Sequence, residues 1–574
     1  MELLEQHFDT AFSAPNGVQK LRELILTLAM QGKLVPQDTR DSPASQLLKE
    51  IEVEKKQLAK AGKIKAPKPL QQIAPGDTSY ALPTGWQWVR LGLVGNIFNG
   101  NSINASEKEA KYAGAMGLPY IATKDVGYGF DPLDYENGIR IPVSEDKFRV
   151  AHEGAVLICA EGGSAGKKCG LTDRDICFGN KLFANELYGR IPSRFILYTY
   201  LSPVFRASFA AAMSGIIGGV SIAKFVEIPI PIPPLEEQYR IVAKIEQLMA
   251  RCDTLENLRT EREKKSLATH AAALSQLLDT SDGSSANDAW AFIDQHFGDL
   301  YEVKENVTEL RKAILQLAIT GRLSTPMEAD SRVTTLIEKL QIEQSENIYL
   351  RTKEREEIQT ALKATTAKVV SNRVPLSARL FCEFITKGTT PAADELKEVG
   401  DIPFLKVYNI VGNKIDFDYK PSFISYDVHH NQLKRSIVRP GDVIMNIVGP
   451  PLGKVAVVTD QFPEWNMNQA LAVFRPLAGI LSSYIYYALS TNSVLESALR
   501  EVKGTAGQDN LSLEQCRDLI ILIPSIEEQN RIVEKIARLM ELCDTLEQRI
   551  DAAAFKQTEL LSGLMSDNRE SRCA

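Results

Sequence analysis

The stretch GGSAGKKCG, residues 162–170, has the residue types for phosphate chemistry. A glycine-rich loop ending in Gly-Lys can cradle phosphate between bare N–H groups and an ammonium. The spacing excludes a nucleotide-hydrolase loop of the G-x-x-x-x-G-K-[ST] type. Gly162, Gly166 and Lys167 leave one residue too few between the glycines, and Lys168 stands where a magnesium-binding hydroxyl is required. A second short loop, GPPLGK at 449–454, repeats the pattern with Gly449, Gly453 and Lys454. Two short loops in matching places indicate one shared structural element and not two decayed nucleotide sites. Each is flanked by short apolar or β-branched runs, AVLICA and KKCGLTD or DVIMNI and KVAVVTD, which predicts a hairpin. The local pattern favours glycines that supply positive φ in the turn over a phosphate-facing tip.

The matching loops belong to a duplication that spans the protein. From Glu236 to Glu256, 15 of 21 residues recur at an offset of 291, in PLEEQYRIVAKIEQLMARCDTLE and SIEEQNRIVEKIARLMELCDTLE. Upstream, the segment from Gln6 recurs from Gln295, which pairs His7 with His296 as packing or capping residues and places the seam near residue 290. The segments between have diverged but keep their order: LPYIATKDV parallels IPFLKVYNI, and IPSRFILYTYLSP parallels LSSYIYYALSTNS.

The repeated segments predict long helices. Ile241, Ile245, Leu248, Cys252 and Leu255 step by four and three, and Leu267, Ala271, Leu274 and Leu278 resume the rhythm. The second copy runs Ile532, Ile536, Leu539, Cys543, Leu546, Ile550 and Ala553. Pro233 and Pro234 start the first helix, and Glu236 and Glu237 suit its positive end. Each apolar stripe needs a partner, and the other copy is the natural one. The expected fold is therefore α+β: two β-rich blocks separated by a pair of long antiparallel coiled-coil-like helices, with pseudo-twofold internal duplication. The expected boundaries are 1–81, 82–232, 233–368 (spacer helix 234–278, then the repeated amino-terminal helices), 369–523 and 524–574.

Composition sets limits on the class. At 574 residues, with 44% hydrophobic and 24% charged residues, the protein is globular and multidomain. No apolar run reaches bilayer length, and MELLEQHFDT lacks the basic start of a signal peptide, so a cytoplasmic location is expected with no membrane partner. Eight scattered cysteines without C-x-x-C pairs suit a reducing compartment and no structural zinc. A net charge of −7 means that any nucleic acid must be met through local patches.

IPIPPLEEQYRI and ILIPSIEEQNRI, LPTGWQWVRLG and LRELILTLAMQGKL together resemble the specificity subunits of type I restriction–modification systems (HsdS) over essentially the whole sequence. The linker AKAGKIKAPKPLQQIAPGDT is most similar to that of the type IB branch, whereas RVPLSARLFCEFITKG departs from the P-x-G-W pattern. The resemblance implies a non-catalytic subunit whose two target recognition domains each read half of a bipartite, asymmetric site in double-stranded DNA. It implies two methyltransferase subunits using S-adenosylmethionine and two restriction subunits using ATP and magnesium, with no cofactor on the specificity subunit itself. The residues agree: there is no [DNS]-P-P-[YF] tetrapeptide, GPPL fails it at both ends, and DELK at 394–397 lacks a metal-binding companion. A stand-alone DNA-modifying enzyme and a two-headed scaffold that binds no DNA are the alternatives.

Base readout uses amide, hydroxyl and cationic side chains. The candidate contacts of the first block are Lys124, Tyr128, Gly163, Ser164, Lys167, Lys168, Asn180, Lys181, Ser221 and Lys224. Those of the second are Lys387, Thr389, Thr390, Lys406, Tyr408, Asn409, Lys454, Asn466, Asn468, Gln469, Thr505, Gln508 and Asn510. For each, the competing role is satisfaction of local backbone groups. Glu236, Gln238, Arg240, Glu527, Gln529 and Arg531 are candidates for the methyltransferase-subunit interface, or for helix caps.

Overall fold

The computed structural model describes residues 14–64, 69–128, 130–214, 218–279, 283–449, 451–499 and 510–570. The protein forms two compact units: residues up to Glu261 joined by those from Ala553, and Arg262–Ala552. The helices Leu235–Leu278 and Ile526–Glu570, of 44 and 45 residues, each pass from one unit into the other. Each unit is therefore completed by the end of the other repeat's helix.

In the first unit a four-stranded antiparallel sheet has the order Gly95–Asn99, Leu182–Leu187, Val156–Cys159, Cys169–Leu171. The second unit repeats it as Cys382–Lys387, Leu471–Pro476, Val443–Asn446, Val455–Val457. Both expected hairpins are present. Because side chains alternate along a strand, Val156 and Ile158 enter the core shared with the helices, whereas Leu157 and Cys159 enter a second core. Burial on both faces explains why VLIC and VIMN lack polar alternation. The second core is covered by a smaller sheet built on Leu118–Ile121, or on Ile402–Leu405, with one parallel neighbour each, Ile176–Phe178 and Asn466–Met467.

Each block closes by pairing its first and last strands, Gln87–Arg90 with Pro229–Ile232 and Arg373–Ser377 with Ile520–Pro524. The last strand runs directly into the long helix. At that joint Glu237 accepts hydrogen bonds from Trp86 Nε1 at 2.9 Å and Gln37 Nε2 at 2.6 Å. In the second unit Arg373 occupies the place of Trp86 and its Nε donates to Glu528 at 3.1 Å. The missing tryptophan of the second block is thus an exchange of a neutral donor for a guanidinium facing the same repeated glutamate.

The apolar stripes do not form one continuous seam. Ile241, Ile245 and Cys252 bury in their own unit's core, as do Ile532 and Ile536, while Leu255 is 44% exposed. Farther along, the buried positions are His270, Ala273, Leu274 and Leu277, and Ala271 is exposed. That is the 3.6-residue face of an ordinary packed helix and corrects the expected heptad register there. Ala273, Leu274 and Leu277 share one core of the second unit with Cys543, Leu539 and Leu546 of the other long helix. In the first unit Leu561 packs with Ala14 and Leu24.

The unequal joints respond differently to substitution. Glu528→Ala strands the nearly buried Arg373 guanidinium and lowers stability by about 3 kcal/mol in chemical denaturation. Burial is the main influence on Glu237 and raises its pKa above the ordinary 4.5, despite the Trp86 and Gln37 bonds. The folded state then binds more protons than the unfolded one, so this group's contribution is greatest below pH 4.5 and is lost as pH rises through its elevated folded value. Glu237→Gln should remove that slope from the pH dependence of unfolding, read as the difference from wild type.

Candidate nucleic-acid interface

At one edge of each block the same four loops are joined by matching backbone hydrogen bonds. Asn101 N–H donates to Phe178 O at 2.9 Å and Gly179 N–H to Ile121 O at 2.9 Å. Ala160 N–H donates to Lys181 O at 2.8 Å, and Val220 N–H returns to Ala160 O at 2.9 Å. The second unit repeats these four as Thr389 to Met467, Asn468 to Leu405, Ile447 to Ala470 and Leu511 to Ile447. The duplicated glycines are structural: Gly166 and Gly453 have φ of 68° and 80°. A Cβ on either would lie 2.5 Å from an underlying side chain, Phe209 or Leu495.

Strand register corrects one correspondence. Cys159 N–H donates to Lys168 O at 2.9 Å and Asn446 N–H to Lys454 O at 2.8 Å, so Lys168, not Lys167, is the counterpart of Lys454. Lys167 is an additional, exposed residue that the ungapped alignment conceals. Both true counterparts reach the segment that follows the first strand of the small sheet. Lys168 Nζ donates to Thr123 O at 3.1 Å, and Lys454 Nζ to Ile410 O at 3.3 Å. The turns Thr123–Asp125 and Val407–Asn409 are closed by Asp125 and Asn409, which accept from the N–H of Ala122 and Lys406 at 2.8 and 3.0 Å. The ammonium therefore fastens the hairpin to this turn in the first unit and to Ile410, the residue just beyond it, in the second.

Around these loops Lys124, Tyr128, Gly163, Lys167, Asn180, Lys181, Ser221 and Lys224 are exposed in the first unit. Lys387, Thr389, Thr390, Gln469 and Asn510 are exposed in the second. Ser164, Lys168, Lys406, Tyr408, Lys454 and Asn468 are half-buried. Ser221 caps its helix, accepting from Lys224 N–H, and Lys168 lies 5.0 Å from the centre of the Tyr128 ring. Two candidates are corrected. Asn409 is wholly buried as the turn's cap, and Asn466 is wholly buried with its amide on Leu433 O and His429 Nδ1. Their amides are committed internally, as buried polar groups must be. Thr505 and Gln508 lie outside the described residues.

Three further polar residues carry no signal of their own in the sequence. Arg149 Nη1 donates to Asn99 Oδ1 at 2.9 Å, and Asn101 Oδ1 accepts from Arg149 N–H at 2.9 Å, at the turn equivalent to Lys387–Thr390. The indirect signal is glycine: Gly100 and Gly388 each leave no room for a Cβ beside a carbonyl oxygen, at 1.9 and 2.1 Å. That pairs N-G-N-S with K-G-T-T.

His429, His430 and Glu464 form a grouping that could hold a metal. Asn466 Nδ2 donates to His429 Nδ1 at 3.1 Å, which leaves the hydrogen on Nε2, 3.3 Å from Glu464. Burial holds this imidazole below its ordinary pKa although Glu464 opposes that. In this arrangement His429 Nε2 turns its hydrogen toward Glu464, and His430 Nε2 lies 3.9 Å from the same carboxylate.

Among the proposed interface residues on the helices, Gln238 and Gln529 are fully buried, which corrects their assignment to a partner surface. Their Nε2 groups donate to Pro233 O and Pro524 O, both at 3.0 Å. Arg240 binds Asp41, and Arg531 binds Asp330 at 2.6 Å, whereas Glu527 accepts from Ser331. Glu236 is exposed.

Two copies of one β-rich block, each with the same hydrogen-bonded loops at one edge, define a duplicated scaffold. The protein belongs to the type I restriction modification DNA specificity domain family, whose model matches residues 83–263 and 381–554. It is 29% identical over 580 residues to the EcoAI type I restriction enzyme specificity subunit of Escherichia coli, covering 95% of this sequence and 92% of that one. It is 27% identical to the EcoEI subunit of the same organism, covering 96% and 93%. The HsdS crystal structure from Thermoanaerobacter tengcongensis is similar over 84% of this sequence and 97% of its own, with 18% identity and a TM-score of 0.41.

The two neighbouring lysines should therefore behave unequally. Lys454→Met and Lys168→Met each remove a tether and cost about 1 kcal/mol in urea denaturation, whereas Lys167→Ala changes stability by less than about 0.5 kcal/mol.

Proposed function

We propose that this protein is the DNA-specificity subunit of a type I restriction–modification assembly, each unit reading one half of a bipartite, asymmetric site. The observation that carries this reading is the repeated edge: one backbone hydrogen-bond pattern, formed twice, displaying different side chains in each unit. A scaffold fixed in backbone and variable in amide, hydroxyl and ammonium groups suits direct readout of two different base sequences. The EcoAI and EcoEI relatives are named as specificity subunits of type I restriction enzymes. In this reading the chemistry belongs to partners. Two methyltransferase subunits carry S-adenosylmethionine and methylate adenine N6, and two restriction subunits use ATP and magnesium. The long helices set the gap between half-sites, and exposed positions such as Glu236 are available to the methyltransferase subunits. Among the described residues, no helix is long and apolar enough to cross a membrane.

Single-molecule sequencing of DNA from cells expressing this protein with its cognate methyltransferase subunit tests the proposal. N6-methyladenine within one split, asymmetric motif is expected with both proteins and with neither alone. Methylation by this protein alone would instead make it a stand-alone enzyme. Because one continuous helix runs from the first unit into the second, insertion of residues near Leu258 should change the tolerated gap and leave both half-site sequences intact. Altered half-site bases at an unchanged gap would contradict that role.

A further inference from the structure

Beyond its capped turn, the second unit carries an excursion with a shape of its own. Ile410–Val411 and Lys414–Ile415 pair as a two-stranded antiparallel ribbon. Gly412 and Asn413 link them, with φ of 57° and 58°. Two consecutive positive φ angles are those of a type I′ turn, the tightest link compatible with strand twist. Alternation along the ribbon sends Ile410 into the core around Trp465 and Phe417. It turns Val411 and Lys414, which face each other across the ribbon, outward; Val411 is 51% exposed.

The ribbon is clamped at several points. Lys454 Nζ holds Ile410 O, and Asn413 Oδ1 accepts from Val455 N–H at 3.3 Å, so the tip is fixed to the glycine-loop hairpin. At its base Asp416 N–H donates to Asn409 O at 2.8 Å, and the buried Asn409 amide donates to Tyr419 O at 2.9 Å. The first unit closes an excursion at the same place with the equivalent bond, Asp134 N–H to Asp125 O at 2.9 Å. There the backbone leaves through Val126 and displays Tyr128, 60% exposed beneath Lys168. The closing backbone bond is the same and the tips differ, as expected of a part that is exchanged to change what is read.

A two-stranded ribbon fits the major groove, where an apolar β-branched side chain suits a thymine methyl and a lysine suits guanine O6 and N7. We propose that the ribbon 410–415 is a base-reading element of the second unit, with Val411 and Lys414 as specificity-determining residues for that unit's half-site. This rests on the DNA-specificity reading above.

The test uses the full-length protein produced together with its methyltransferase subunit, comparing wild type with Val411→Ser, Lys414→Ala and Lys414→Arg. Sequencing gives the methylated motif, and recovery of the complex by size exclusion confirms assembly. The expected result is that Val411→Ser and Lys414→Ala each lower base discrimination at least tenfold at one or two positions of one half-site. The other half-site keeps its sequence, and Lys414→Arg retains the preference for guanine. An unchanged motif in both variants would overturn the proposal, as would an equal loss of methylation at every sequence, which marks a phosphate contact. Absence of any split motif with wild type would instead overturn the underlying functional reading, and the ribbon's role with it.

Discussion

The architecture depends on burying charge and amide at the start of each long helix. Glu237 and Gln238, like Glu528 and Gln529, are at most 1% exposed. Buried carboxylates and amides are costly unless paired, so each must find donors and acceptors from elsewhere in its unit. The donors come from separate segments: Gln37 before the block, Trp86 or Arg373 at its entry, and the Pro233 and Pro524 carbonyls accept at its exit. Making these bonds together fixes the direction in which the helix leaves the block. A simple apolar joint of equal area would tolerate rotation about the helix axis, because dispersion contacts are not directional. Arg240 with Asp41, and Arg531 with Asp330, repeat the constraint one turn farther on.

This use of charge reconciles the acidic balance with a nucleic-acid role. Guanidinium groups are engaged inside the scaffold: Arg22 binds Asp253 and Glu256, and Arg311 binds Asp544 and Glu547, in matching places. The loop edges instead expose lysines, with Lys124, Lys167 and Lys181 in one unit and Lys387 in the other. Phosphate attraction falls off within about a Debye length, roughly 8–10 Å at ordinary salt, so a ligand at the edge responds to these ammonium groups more than to the protein's total of −7.

Much of the fold is legible in the sequence because repetition in sequence reports repetition in structure. The long helices, both hairpins and the order of elements follow from its patterns. The failures have local physical causes. Lys167 aligns with Lys454 only because an ungapped alignment hides a one-residue insertion that strand register reveals. Asn409 and Asn466 bear side chains suited to adenine, but sequence does not show whether an amide faces solvent or caps a turn. The ribbon at 410–415 leaves no strand signal although V-G-N-K holds its turn, because flanking strands of two residues each are too short for any alternation to register. The heptads mislead where helix packing follows the 3.6-residue face instead.

The edge can vary because its backbone is self-sufficient. The four matching loop bonds join backbone N–H groups to backbone carbonyl oxygens, so no exposed side group is needed to hold these loops together. Among the side chains that hold the edge, Lys168 or Lys454 and Asp125 or Asn409 are drawn inward. Even the capping carboxylate and amide exchange, since either oxygen accepts the same N–H. One unit thereby absorbs an inserted Lys167 and an excursion displaying Tyr128, while the other carries a ribbon displaying Val411 and Lys414. Stability and recognition are assigned to different atoms of the same loops. A scaffold so divided can change what it reads without changing how it folds.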